Sequence, residues 1–259
     1  MITIVFGDPR IGKTAYVVGR LLERAFDYER NRLMREALQI KNANGFNLSI
    51  PVHCVSANYD VKFVKSGYSP RKARIIDPRK LGFGVTEKKT HFLLPYETIA
   101  IQEAQEFFNS RAYSDFESWR SNLFEQHGHN HLDFFLDTQR PGLIDVNIRA
   151  ISNFVEIRKL DVVYDKLGLF KSVSWNVREF DNMGCVEEYM RSGKKDRSLY
   201  TAKRVTCLSN VFDMYSSWSL EPKFYAGHLE EDFDLVYSKH HGDTKEDYRQ
   251  FLEDIKAGG

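Results

Sequence analysis

An α/β fold, with a mostly parallel sheet flanked by helices and a C-terminal antiparallel β extension, is predicted by three observations. Apolar runs of strand length alternate with helix-period segments over roughly the first 160 residues. The first of these runs, Ile2 to Phe6, leads through a glycine-bearing loop into a helical pattern. Past about residue 160, apolar and polar residues alternate between turn signals, as antiparallel strands do. The expected organisation is a core over 1–160 with a loop-rich insertion at 65–95, and a β-rich extension ending in a short helix over 161–259, packed on the core.

Composition narrows the classes. A chain of 259 residues, 42% hydrophobic, can bury a sizeable core, which excludes general disorder. Its 37 basic and 36 acidic residues give a net charge of +1, so no whole-molecule field draws in nucleic acid and any DNA contact has to be local. Cys54, Cys185 and Cys207 are an odd number at wide spacings, which fits neither a disulfide framework nor paired zinc thiolates. No run approaches the roughly 18 apolar residues of a membrane span, and the N-terminus lacks the basic start of a signal peptide. A soluble chain in a reducing cytoplasm is therefore expected. The final "KAGG" fits a natural end and a cut before a downstream anchor equally well.

Taking the elements in order, "ITIVF" is rich in β-branched residues, as a strand buried on both faces should be. After it, "GDPRIGKT" places Gly7, Gly12, Lys13 and Thr14 at the spacing G-x-x-x-x-G-K-[ST]. Val18, Leu21, Leu22, Ala25 and Phe26 then recur at helical intervals. Strand, loop and helix in that order form the context of a phosphate-binding loop. Gly7, Asp8, Pro9, Arg10, Ile11 and Gly12 would curl around phosphate oxygens, and Lys13, Thr14 and Ala15 would open the helix whose dipole favours the anion. Lys13 would reach the β- and γ-phosphates of ATP, and Thr14 would offer its hydroxyl to Mg²⁺. ATP and Mg²⁺ are thus the expected cofactors, a plain turn before a helix being the alternative.

The first helix is expected to run on through "ERAFDYERNRLMREALQIKN" until "NANG" breaks it. "IPVHCVSANYDV" (50–61) reads as a second strand ending in a turn near Asn58. In the insertion, the basic stretch 71–80 reads as solvated loop, with a nucleic-acid or partner contact as the alternative. A third strand, Thr98 to Ile101, turns straight into a helix and carries Gln102-Glu103 at its tip. Glu103 suits the base that orients the attacking water. Gln102 stands where a metal-side acid is usual, reaches Mg²⁺ only through a water and slows turnover. Two alternatives stay open: Glu103 as a helix-start acid, and a metal acid from elsewhere, such as Asp137.

"HLDFFLDTQRP" (131–141) is a fourth strand, whose Gln139 is placed to sense the γ-phosphate unless the tip is an ordinary turn stopped by Pro141. "RAISNFVEIRKL" (149–160) is a fifth. His127, His129 and His131 in "HGHNH" lack the second cluster that a structural metal site wants. The 19 Phe and 13 Tyr are assigned to packing rather than base stacking.

Together these motifs resemble the Zot (zonular occludens toxin-like) family, phosphate-loop ATPases that filamentous phages use in virion assembly and extrusion. The carrying stretches are "ITIVFGDPRIGKT", "PVHCVSANYD", "IAIQEAQEFFNSR", "HGHNHLDFFLDTQRPGLIDVNIRAISNFVEIRKL" and, loosely, "VFDMYSS" (211–217). The family's second motif is aspartate-glutamate-alanine-glutamine; Glu103, Ala104 and Gln105 match it, and Gln102 departs.

The resemblance implies an FtsK/HerA-type ATPase with the glutamate strand beside the phosphate-loop strand. It also implies a homo-oligomeric ring in which an arginine reaches the neighbouring subunit's ATP, Arg111 and Arg149 being candidates. Phage coat or assembly proteins are the implied partners, in the bacterial host cytoplasm or peripheral to the inner membrane. Membrane contact would come only through partners or a downstream anchor. The expected activity is ATP hydrolysis coupled to virion assembly or export. The alternatives are a DNA-packaging or translocating ATPase, and a nucleotide-bound structural protein that barely hydrolyses.

Overall fold

The computed structural model describes residues 1–44, 50–82, 91–109 and 123–215, so the expected terminal helix and Arg111 lie outside the described residues. Two compact units divide the chain. The first draws on Met1–Arg20, Ala100–Glu125 and Asp133–Met214, and the second on Leu21–Ile99, Gln126–Leu132 and Tyr215–Gly259.

At the centre of the first unit lies β1 (Ile2–Phe6), buried along its whole length. It runs parallel to β9 (Asp133–Thr138) on one side and to β10 (Asn153–Tyr164) on the other, with Val5 level with Asp137 and Val155. The end of β8 (Thr98–Ile101) follows beyond β9. The glutamate strand is therefore not the neighbour of β1, which corrects the implied strand order. β9 takes that place, with "DFFLDT" buried throughout and the Met1 amino group donating to Asp133 Oδ1 at 3.0 Å.

On the far side of β10 the sheet continues antiparallel through β11 (Phe170–Phe180) and β12 (Thr201–Cys207), which is the expected β extension. Trp175 on β11 is fully buried and meets Tyr16 edge-on at 5.8 Å. Helices α3 (Val146–Ala150) and α4 (Met183–Arg191) are N-capped by Asp145 and Asn182, whose side chains accept from Asn147 N and Cys185 N.

The expected single long helix is two. The first, α1 (Lys13–Ala25), stops before Asp27, which is extended and accepts the Arg30 N–H at 3.0 Å as N-cap of α2 (Tyr28–Ala43). Periodicity alone missed this break, because a short carboxylate competes with helix continuation by offering the next turn's N–H groups a partner.

In the second unit, β2 (Val55–Ala57) lies between the start of β8 and β5 (Arg74–Ile75); it ends where the sequence placed the turn, before Asn58, and starts later than expected. The His53 ring takes the Val55 N–H at 3.2 Å, which bends the chain before the strand. Beyond Ala57 it enters a turn. Short pairs complete the unit: β3 (Lys62–Phe63) antiparallel to β4 (Arg71–Lys72), and β6 (Leu81–Gly82) parallel to β7 (His91–Phe92). Met34 and Leu38 of α2 pack with Cys54 and Leu94. The imidazole of His131 stacks on Tyr96 at 4.6 Å, giving the His-rich segment a packing role.

The basic stretch is only partly solvated, a correction to the loop reading. Arg74 is buried, with Nη2 2.5 Å from Glu97 Oε1, and Glu97 is wholly inaccessible. Glu97 also accepts from the Ser56 hydroxyl and, at 2.7 Å, from Leu94 N. The Arg71 guanidinium lies 4.5 Å over the Phe26 ring and donates to Ala25 O. Arg71 and Arg74 thus take part in packing the unit.

His53 gives a pH prediction. Its Nδ1 accepts from Val55, so Nε2 carries the proton 3.0 Å from Lys72 O, the pattern of a neutral ring. Burial first, then the Arg71 charge, lowers its pKa from 6.5 to about 4. The unfolded chain takes up the proton first as pH falls. The stability this ring contributes is therefore complete above about 6.5 and is lost as pH falls through about 4. An NMR titration should show the ring neutral at pH 5.5; half-protonation near 6.5 would refute the assignment.

Candidate active site

The loop after β1 turns back on itself through three residues of positive φ: Gly7 at 149°, Arg10 at 63° and Gly12 at 89°. A Cβ on Gly7 would lie 2.8 Å from Ile157 O on β10, so only glycine lets the loop pass there. Asp8, Pro9 and Arg10 are exposed, Ile11, Gly12 and Thr14 half-buried, and Ala15 buried. Lys13 is buried to 8% exposure, and its Nζ donates to Gly7 O and Asp8 O at 3.3 Å each. An ammonium is thus held inside the curl of the loop, at the N-terminus of a 13-residue helix, where an anion is favoured. From behind, the Trp175 indole N–H donates to Gly12 O at 3.2 Å. No spacing signalled that contact.

Thr14 Oγ1 donates to Asp137 Oδ2 at 2.9 Å, across 123 residues of sequence. Asp137 closes β9 at 3% exposure, and its Oδ1 is buried with no hydrogen-bond partner. Burial pushes its pKa up to about 6; the Lys13 charge and the Thr14 hydrogen bond oppose this, and the Glu103 charge adds to it. Lys13, Thr14, Asp137 and Glu103 therefore sense one another. A hydroxyl beside an unsatisfied carboxylate oxygen is a hard-oxygen pair that suits Mg²⁺, and a cation would hold Asp137 ionised. The geometry favours the open alternative for the metal acid: the charge missing at Gln102 is present at Asp137.

Glu103 follows β8 in a left-handed conformation, φ 50° and ψ 46°. Its side chain caps no helix; Oε2 accepts from Gln105 Nε2. Directly after the strand comes a 3₁₀ turn, Ala104–Glu106, where an α-helix was expected. Gln102 is buried at the strand end. Gln139 is exposed just beyond β9. Arg149 donates through Nε to Ile144 O at 2.8 Å, so its base is fixed to its own loop.

The family described as zonular occludens toxin (Zot) matches residues 1–219. This chain belongs to the Zot family. The match takes in the loop, both strand tips and the antiparallel strands of this Zot chain. Among solved structures, the N-terminal domain of zonular occludens toxin from Neisseria meningitidis is similar at 16% identity. The alignment covers 83% of this chain and 98% of that one, with a TM-score of 0.46. The genome packaging NTPase B204 from Sulfolobus turreted icosahedral virus 2, in complex with ATP-gammaS, is similar at 11% identity over 78% and 95%, with a TM-score of 0.33. No curated protein matches the Zot chain significantly.

Proposed function

We propose that this Zot-family chain binds ATP and Mg²⁺ and couples hydrolysis to phage or virus assembly. The observation that carries the reading is the Thr14–Asp137 hydrogen bond below the Lys13 cradle. Loop N–H groups and Lys13 stabilise charge on the transferring phosphoryl group. Thr14 and Asp137 would hold Mg²⁺, which would neutralise phosphate charge when bound. Glu103 orients the attacking water and takes its proton, and Gln139 contacts the γ-phosphate. A homo-oligomeric ring in the host cytoplasm, acting on coat or assembly proteins, is the working form we favour. Among the described residues, no helix is long and apolar enough to cross a membrane.

Steady-state turnover of Glu103→Gln, with ATP affinity measured alongside, tests the reading. Turnover should fall by about 10²–10⁴ while affinity stays within a few-fold. Equal turnover in variant and wild type would remove Glu103 from the chemistry. Gln102→Asp separates the weakly hydrolysing alternative, since a large gain in rate would identify Gln102 as the brake. Stimulation by DNA favours packaging, and stimulation by coat protein favours assembly.

A further inference from the structure

A cavity lies in the first unit, on the antiparallel extension. Its volume is about 740 Å³, and Arg158, Arg178, Lys194, Lys195, Arg197 and Lys203 line it. In a chain of net charge +1 this is a strong local concentration of cations. It shares no residue with the basic stretch that the sequence singled out, where Arg71 and Arg74 are engaged within the fold.

The cluster is built from below by one carboxylate. Glu156, 3% exposed, lies 3.1 Å from Arg158 Nη1, 3.3 Å from Arg178 Nη1 and 4.0 Å from Lys194 Nζ. One buried charge thus orients three cations without neutralising them. Glu179 serves Lys203. Lys195 and Arg197 have no acidic partner among the described residues, because Asp196 between them holds the N–H and hydroxyl of Ser198. Tyr200 lines the same cavity with the Arg178 guanidinium 4.7 Å above its ring, and Asn176 adds an amide.

We infer that this cavity binds the phosphodiester backbone of single-stranded nucleic acid. Cations that outnumber nearby carboxylates suit a polyanion, and because the Tyr200 ring packs against Phe180, Tyr189 and the Arg178 guanidinium, recognition falls to the phosphates. Concavity argues against a flat anionic membrane, and a volume within the range of small-ligand pockets, about 300–1,000 Å³, takes a few nucleotides, not a duplex. No residue of the phosphate loop lines it.

Fluorescence anisotropy of labelled oligothymidine with the full chain, in the absence of nucleotide, tests this. Wild type should bind at low salt, and the double variant Lys195→Ala/Arg197→Ala should bind at least about tenfold more weakly. Its slope of log affinity against log salt should be shallower by roughly 1.4, the loss of two single-strand phosphate contacts. A charge-matched control, Lys166→Ala on the exposed turn after β10 with Lys171→Ala at the exposed start of β11, should stay within about twofold, and thermal melts should show all three proteins folded. Failure of wild type to bind, or equal weakening by both pairs, overturns the proposal. So does a cavity-pair effect seen only with polyglutamate or only with phosphatidylserine vesicles, which would assign the cavity to an acidic protein or to a membrane.

Discussion

Lys13→Ala should leave a folded chain whose ATP turnover is reduced about 100-fold or more and whose nucleotide affinity falls with it. Two losses combine. The loop would lose the ammonium now held 3.3 Å from Gly7 O and Asp8 O, which is the cation placed for phosphate oxygens. Asp137 would also lose the Lys13 charge that opposes its raised pKa, so its carboxyl would move further towards the protonated form that binds metal poorly. Isothermal titration with a non-hydrolysable ATP analogue, alongside turnover at several Mg²⁺ concentrations, separates the two effects. ATP affinity and turnover within threefold of wild type would end the nucleotide reading altogether.

Glu97→Ala should be the most damaging substitution for stability in the second unit, at about 3–5 kcal/mol. Glu97 has no exposed surface and accepts from Arg74, Ser56 and Leu94 N. Its removal takes a buried carboxylate from the Arg74 guanidinium and leaves the Leu94 N–H without the acceptor it now has. Against a typical total of about 5–15 kcal/mol, a loss of that size is visible as a large drop in the urea midpoint. Replacing Arg74 and Glu97 together by Met and Leu should restore much of it, since an apolar pair leaves no buried charge. A single-variant loss below about 1 kcal/mol would mean that water reaches the pair.

Much of the site was legible because its signals are local. The glycine and lysine spacing in "GDPRIGKT", the strand Thr98–Ile101 and the run "DFFLDT" all lie within a few residues, and each forms where it was read. The misses are long-range. Asp137 could be seen as an acid at a strand tip, yet that it takes the Thr14 hydroxyl depends on β9 lying beside β1. The resemblance implied a different neighbour there. Trp175 is 163 residues from the carbonyl it supports, and Arg74 is 23 residues from its counter-ion; neither pairing leaves a periodic mark. Lys194, Lys195 and Arg197 lay between the two stretches read for strand alternation, whereas the stretch flagged for charge proved partly structural.

Gly7 has a consequence for how this loop tolerates change over time. Its missing side chain answers to the Ile157 carbonyl behind it, not to anything bound in front. Lys13 and Thr14, on the other side, answer to ligand and partner groups. A lineage that abandoned ATP could therefore let Lys13 and Thr14 drift at little cost to the fold, but it would have to keep Gly7. Among diverging relatives, a retained glycine at this position with the lysine gone would mark a chain that has kept its architecture and given up its fuel.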